Sequence, residues 1–339
     1  MTMIETHNLT KHFGDVVAVD SVDLEVERGT VHGLVGPNGS GKTTAMQLII
    51  GLLQPTEGEA YVDGEPAGSM AAKERIGYSP LEVAMYDSMT GRRYLEYMGR
   101  AAGMSRGDAR ERTDELIEWL ELTEAADRQT GTYSGGMQRR LSLAQAMIHD
   151  PDVLFLDEPT TGLDPTGRQR IMDTLEELAD EGLTVFVSSH VLSELEQYIE
   201  MVSILQDGQL VLTDSISAVQ EAYGGQAFAV QTSDDERVAT ILSETELVHS
   251  AEVTDGRVVV TTDEPDQFRE QLQQMLVDEG ISLRSLTEEG TLQEAFTDIV
   301  TGGGPAGRRS RERAGNEGSG RPEDDSERAG DGDTEEVQS

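Results

Sequence analysis

The chain has 339 residues, more than one average domain and suited to two, or to one large domain with an appendage. Its formal charge of −39, from 65 acidic against 26 basic residues, repels nucleic acid and anionic lipid unless a basic patch is set apart, so no nucleic-acid partner is expected. It contains no cysteine, which excludes disulfides and thiolate metal sites.

Hydrophobic residues make up 36% of the chain, below the usual globular share, so some segment must be unusually polar. Lysine is confined to Lys11, Lys42 and Lys73, and every other basic residue is arginine. An acid-rich, lysine-poor surface suits a cytosol at molar salt, where the Debye length falls to about 3 Å. The expectation is a cytoplasmic protein of a halophile. The opening MTMIETHNLTKHF has no basic-then-apolar signal. The greasiest run, MQLIIGLL, is far shorter than the roughly 18 residues a membrane span needs, so a soluble chain is expected.

In chain order, residues 1–214 alternate short apolar strands with helical patterns, as in a mostly parallel sheet. TVHGLVG (30–36) reads as a buried strand and runs into GPNGSGKTT (36–44), after which a helix carries MQLIIGLL. The 105–125 stretch is charged and amphipathic, and reads as an exposed helix. VLFLD (153–157) and TVFVSS (184–189) are continuous apolar runs, as strands covered on both faces require. Residues 166–181 read as a second amphipathic helix, and SELEQYIE (193–200) opens like a helix, with Ser193 and Glu196 at capping-box spacing.

Residues 215–301 look separate. AFAVQT, LVHSAEV, RVVVTT and ISLRSL read as strands, ERVATILSE and PDQFREQLQQMLVDEG as helices. The order is β-α-β-β-α-β, the split βαβ or ferredoxin-like pattern, closed by a short helix at TLQEAFTDIV. Residues 302–339 hold Gly, Ser, Pro and charges, with Val337 the one large aliphatic. Such a segment cannot bury enough apolar surface to offset its ordering entropy, and a disordered acidic tail is expected.

Three motifs carry chemistry. Gly36 to Thr43 fits the phosphate loop G-x-x-x-x-G-K-[ST], following a strand and opening a helix. Its backbone N–H groups can surround phosphate oxygens, Lys42 can reach the β- and γ-phosphates, and Thr43 can reach a Mg²⁺ ion. In VLFLDEP an apolar strand ends in two acids. Asp157 suits Mg²⁺, directly or through water, and Glu158 can orient or deprotonate a water attacking the γ-phosphate. Alone, these acids are no more than a solvated strand end; with the phosphate loop they imply nucleotide hydrolysis. The third motif is YSGGMQRRLSLAQAMIHDP (133–151). Ser134, Gly135 and Gly136 open a helix with Arg139 and Arg140 in its first turns, a second anion site of the same physical type. One γ-phosphate does not need two such sites in one subunit, whereas two subunits facing head to tail would use both.

Together these motifs resemble those of the nucleotide-binding subunit of an ABC transporter, in that family's order and over residues 3–214. Gly36, Pro37, Asn38, Gly39, Ser40, Gly41, Lys42, Thr43 and Thr44 resemble Walker A, YSGGM the signature motif, and VLFLDE Walker B. TTGLDP resembles the D-loop with Asp164, and SSH the switch region with His190 as the γ-phosphate histidine. Phe13 falls where the family stacks an aromatic on adenine. The implied fold is α/β: a P-loop NTPase of the ABC ATPase type (1–214) with a helical subdomain at about 81–145, plus the small ferredoxin-like α+β domain and the tail. TLQEAFTDIVTG (291–302) resembles the ending of ATPases from drug, lipid, sodium and copper exporters. For the accessory domain this implies dimer contact, regulation or packing alone.

Departures from the pattern are Tyr133 and Met137 in the signature, and Leu81 in IGYSPLEVAMY where the family has Gln or Glu. Leucine cannot coordinate a metal; Glu82 could substitute if the loop shifts by one residue, or water could fill the position. The resemblance implies ATP and Mg²⁺ as cofactors, and a homodimer sandwiching two ATP between Gly36–Thr44 of one copy and Ser134–Gly136 of the other. It also implies a separate membrane permease docked around residues 81–126, with export favoured. The chain would then sit on the inner face of the cell membrane. The rival readings are a soluble ABC ATPase acting on ribosomes or DNA, which usually has two nucleotide-binding halves or a long coiled coil, and another phosphate-loop enzyme, which leaves SGGM and His190 unexplained.

Overall fold

The computed structural model describes residues 1–223, 227–243, 245, 247–254, 256–262 and 264–288. The expected closing helix at 291–300 and the tail at 302–339 lie outside these residues.

The chain opens with a long antiparallel pair, β1 (Thr2–Phe13) and β2 (Val16–Glu27). The second half of β2 alternates buried and exposed residues, the mark of a sheet covered on one face. β3 (Val31–Val35) is wholly buried and leads through the phosphate-loop sequence into α1 (Lys42–Ile49). β4 (Glu57–Val62) and β5 (Glu65–Pro66) return to the first sheet, in the order β2-β1-β4-β5. The reading of a mostly parallel sheet therefore covers one of two sheets. The antiparallel one is built largely from the first 27 residues, where polar residues and short apolar runs hide the pairing from a local reading.

α2 (Met70–Arg75) precedes β6 (Ile76–Ser79). Three helices follow, α3 (Gly91–Ala101), α4 (Arg106–Trp119) and α5 (Gly135–Met147). Thr90, Ser105 and Ser134 cap these three helices, each side chain accepting from a backbone N–H three residues on. β7 (Val153–Asp157), α6 (Pro165–Asp180) and β8 (Thr184–Ser189) then return to the core. β9 (Met201–Gln206), β10 (Gln209–Ser215) and α7 (Ile216–Tyr223) end this part. The second sheet runs β10-β9-β3-β8-β7-β6, parallel except for the β9–β10 hairpin. β3, β7 and β8 are buried at every position, as their unbroken apolar sequence requires.

The helix expected at 193–200 is absent. A short 3-10 turn, Leu192–Glu194, stands there instead. Leu192 and Leu195 turn into the core, and Glu194 is drawn away to Thr160 and Arg168.

The remaining described residues form their own unit, comprising β11 (Ala227–Thr232), α8 (Asp235–Ser243), β12 (Ser250–Thr254), β13 (Arg257–Thr261), α9 (Pro265–Asp278) and β14 (Leu283–Glu288). Its sheet is antiparallel throughout, in the order β12-β13-β11-β14. Its core is separate, with Phe228 and Phe268 rings 4.9 Å apart and Leu242, Val260 and Leu272 around them.

Candidate active site

Parallel strands end together, and here the C-terminal ends of β3, β7 and β8 bring the phosphate loop, the two acids and the switch histidine to one edge of the sheet. The loop is tied down by its backbone: Gly36 N–H donates to Ser189 O at 3.2 Å, and Gly208 N–H to Ser40 O at 3.0 Å. A Cβ on Gly36 would lie 2.2 Å from Leu205 O and 2.5 Å from Ser40 Oγ, so no side chain fits. Gly41 has φ +104°, and a Cβ there would lie 2.2 Å from Ala18 O. Asn38 and Gly39 remain exposed at the loop tip, Pro37, Thr43 and Thr44 half-buried, and Ser40 buried.

Lys42 is buried, its Nζ donating to Gly36 O at 2.7 Å and Pro37 O at 3.2 Å and meeting Glu158 Oε1 at 3.4 Å. Glu158 Oε2 takes hydrogen bonds from His190 Nδ1 at 2.5 Å and Thr161 Oγ1 at 2.9 Å. Burial pushes the Glu158 carboxyl up, but the His190 and Thr161 hydrogen bonds and the Lys42 charge together outweigh it. The group is held below its ordinary value of 4.5, and so stays a carboxylate at neutral pH.

Glu158 has φ +50°, left-handed backbone that a glutamate rarely adopts. Ser188 holds it there. The Ser188 hydroxyl accepts from Glu158 N–H at 2.9 Å and donates to Asp157 Oδ1 at 2.7 Å. One hydroxyl thus fixes both acids. Asp157 is fully buried, and its Oδ2 has no hydrogen-bond partner. A buried carboxylate oxygen left over in this way suits a hard divalent cation. Among the described residues no three His, Asp or Glu cluster to hold a metal by themselves. A Mg²⁺ ion that arrives with substrate phosphates needs no more from a protein than a carboxylate and a hydroxyl.

The signature residues stand elsewhere. Ser134 Oγ accepts from Met137 N–H at 3.3 Å as the cap of α5, which leaves its own O–H free to donate. Asp164 Oδ1 accepts from Gly167 N–H at 2.8 Å as the cap of α6. Ser134, Gly135, Gly136 and Asp164 share the lining of an open cavity of about 500 Å³ with Arg140 and Arg170. Lys42, Glu158 and His190 are not among its lining residues. Phe13 is apart from both, half exposed at the end of β1 with Lys11 Nζ 5.3 Å from its ring centre.

Tyr133 has a structural reason. Its hydroxyl donates to Ala125 O at 2.7 Å, and the ring fits because Gly91 has no Cβ to collide with it. Met137 packs, half-buried, against the main core. Leu81 and Glu82 are both exposed. Sequence reading missed Ser188 and Thr161, although Ser188 stands within the quoted SSH. It also missed Glu194, which accepts from Thr160 Oγ1 at 2.8 Å and pairs with Arg168, fastening the segment after His190 to α6.

The ABC transporter family model matches residues 19–161. The daunorubicin/doxorubicin resistance ATP-binding protein of Streptomyces peucetius is 35% identical over 93% of this chain and 96% of its own length. The chain belongs to the ABC transporter family. It is an ABC ATPase, the ATP-binding subunit. The linearmycin resistance ATP-binding protein of Bacillus subtilis is 31% identical over 88% of this chain and 98% of its own. A solved dimeric ATP-binding cassette bound to ADP and Pi is 27% identical, with a TM-score of 0.58 over 63% of this chain and 99% of that one.

Proposed function

We propose that this ABC ATPase drives export through a separate membrane permease, by closing as a head-to-tail dimer on two ATP molecules and reopening after hydrolysis. The observation that carries the dimer is the separation of two anion sites within one chain. Lys42, Glu158 and His190 meet at 3.4 and 2.5 Å, while Ser134–Gly136 line an exposed cavity without them. A second copy would bring its Ser134–Gly136 face to the phosphate loop of the first.

In this reading the loop amides from Gly36 to Thr44 and the Lys42 ammonium bind the phosphates. Phe13 offers its half-exposed ring to adenine. Thr43 and Asp157 would hold Mg²⁺, which supplies charge neutralisation on the phosphate oxygens. Glu158, kept ionised, would take the proton of the attacking water, and His190, which orients Glu158, would contact the γ-phosphate. Asp164 and the signature complete the site from the second copy.

A separate permease is part of this reading; no helix among the described residues is long and apolar enough to cross a membrane. Leu81 and Tyr86, both exposed, with Tyr97 beside Tyr86 at 5.9 Å between rings, give the face around residues 81–126 an apolar surface for it. Export is supported by the resistance ATPases among the relatives, and by the bacitracin transport ATP-binding protein of Bacillus licheniformis, 33% identical over 89% of this chain. The β-α-β-β-α-β order and the β12-β13-β11-β14 sheet support a ferredoxin-like accessory domain. The −39 charge supports a chain at home in a high-salt cytoplasm, and its place on the inner face of the membrane would come from the permease rather than from lipid.

Recovery of the tagged chain from native membranes at molar salt tests the transport reading. A hydrophobic partner of roughly six spans is expected. Soluble proteins or ribosomes alone would end the transport reading while leaving the ATPase intact.

A further inference from the structure

Position 81 lacks the polar side chain that would tie the docking loop to the metal site, and Leu81 is exposed. Something else must connect that loop to the chemistry if the two are coupled. The candidate is the buried arginine of α5 that the catalytic description leaves unused. Arg139 Nη1 donates to Pro80 O at 2.8 Å, the carbonyl immediately before Leu81.

This contact is one of three along a single strip. A Cβ on Gly77 would lie 2.3 Å from Ala146 O, so the β6 backbone rides directly on α5. Ser79 Oγ and Ser142 Oγ are 2.8 Å apart and buried. Arg139, Ser142 and Ala146 follow the i, i+3, i+7 spacing of one helix face. The strand entering the loop and the helix carrying Ser134–Gly136 are thereby fastened together at successive points, and Arg139 is the last.

A guanidinium this buried needs compensating charge. Burial pushes its pKa down, and the charges of Asp157 and Glu158 push it back up. Arg139 therefore touches the loop through a hydrogen bond, and the strand entering that loop pairs with β7, Ser79 opposite Leu156, immediately before the two acids.

We propose that Arg139 is the positioning residue that couples the Pro80–Leu81 turn to the catalytic acids, through the backbone, in place of the polar side chain position 81 lacks. This rests on the reading that the loop faces a permease, yet its test needs the full-length chain alone. Three variants are compared with the native chain: Arg139→Met, Leu81→Gln and the double substitution. Steady-state hydrolysis of MgATP is measured beside amide hydrogen exchange of residues 81–86.

In Arg139→Met, loop exchange is expected to speed by about tenfold and kcat to fall by about tenfold, with KM for ATP within about twofold. Leu81→Gln alone changes kcat by less than about twofold; in the Arg139→Met background it raises kcat by about threefold, a non-additivity that a merely structural arginine would not produce. Unchanged loop exchange in a folded Arg139→Met chain, or strict additivity in the double variant, overturns the proposal. If Arg139→Met does not fold, Arg139→Lys carries the test, since it keeps the charge but lacks the Nη1 that reaches Pro80. The same two changes are then expected at about threefold, and native values for either overturn the proposal. A native chain that hydrolyses no ATP would strike at the ATPase reading instead, and the exchange measurement would still decide the role of Arg139.

Discussion

The two anion-binding faces of this ABC ATPase use the same materials and are finished to different degrees. At the phosphate loop, glycines, a helix start and a lysine are locked by contacts within the chain. Gly36 is pinned by Ser189, Lys42 meets Glu158, and Glu158 is held by His190, Thr161 and Ser188. At the signature, Ser134 and Gly135 are exposed, and the cavity beside them is bordered by Arg140, Arg170 and Asp164. The first face is organised before substrate arrives. The second is a helix cap with an unused O–H. On the proposed dimer reading, the difference teaches that one face would bind ATP in a single chain, while hydrolysis would wait for the other face to be delivered.

Removing the acid tests the finished face most severely. Glu158→Gln keeps shape and hydrogen-bonding capacity but cannot take a proton from water, so kcat is expected to fall by about 10³-fold. ATP binding survives, and the variant accumulates as an ATP-bound dimer by light scattering at high salt. A variant that remains monomeric at every ATP concentration would break the two-face model.

Blocking the unfinished face should separate binding from turnover. Gly135→Asp places a carboxylate where the partner's phosphates must come, and a loss of about 10²-fold in kcat is expected. Nucleotide affinity of the single chain, measured by equilibrium dialysis, should stay within about twofold. A large loss of monomer affinity would mean that the signature acts within its own chain, and the contrast between the faces would collapse.

The finished face was only partly legible in the sequence. Lys42, Thr43, Asp157, Glu158 and His190 stand at fixed spacing in short motifs, and buried parallel strands betray themselves by unbroken apolar runs, so the edge where they meet could be inferred. Ser188 could not be assigned a role, because its importance lies in bridging two strands, β7 and β8, and no local pattern reports a cross-strand hydroxyl. The first antiparallel sheet was missed for a related reason: its pairing joins β1 (Thr2–Phe13) to β4 (Glu57–Val62), strands far apart in the chain. The turn at 192–194 was misread as a helix because capping-box spacing is local, whereas Glu194 answers to Thr160 and Arg168.

Ser188 sharpens the comparison at smaller scale. Ser188→Ala leaves Asp157 Oδ1 and the Glu158 N–H without partners in a buried site, a cost of about 1–3 kcal/mol that a lowered melting temperature should report. The strained φ of Glu158 then loses its anchor, and kcat should fall by about tenfold with little change in KM. Ser188→Thr keeps the hydroxyl and should restore most of the turnover. A Ser188→Ala chain with native kcat would show that the backbone alone holds Glu158 in its left-handed conformation.

The smallest expected effect concerns protons. Because Glu158 is held below 4.5 in the folded chain, its carboxylate persists as pH falls, and the acid limb that it imposes on kcat/KM lies below pH 4.5. The sign for stability is the same: a depressed carboxyl contributes stability that is present above its unfolded pKa and is lost as pH falls through the folded one. Thr161→Val removes one of the hydrogen bonds that lower it. Burial, which pushes the other way, is unchanged, so the acid limb should move upward while the rate on the neutral plateau changes little. Gly135 is not among the groups that lower Glu158, so Gly135→Asp should lower the plateau and leave the position of that limb where it was. If both substitutions moved the limb equally, the proton chemistry would belong to the closed dimer as a whole rather than to the face that one chain completes by itself.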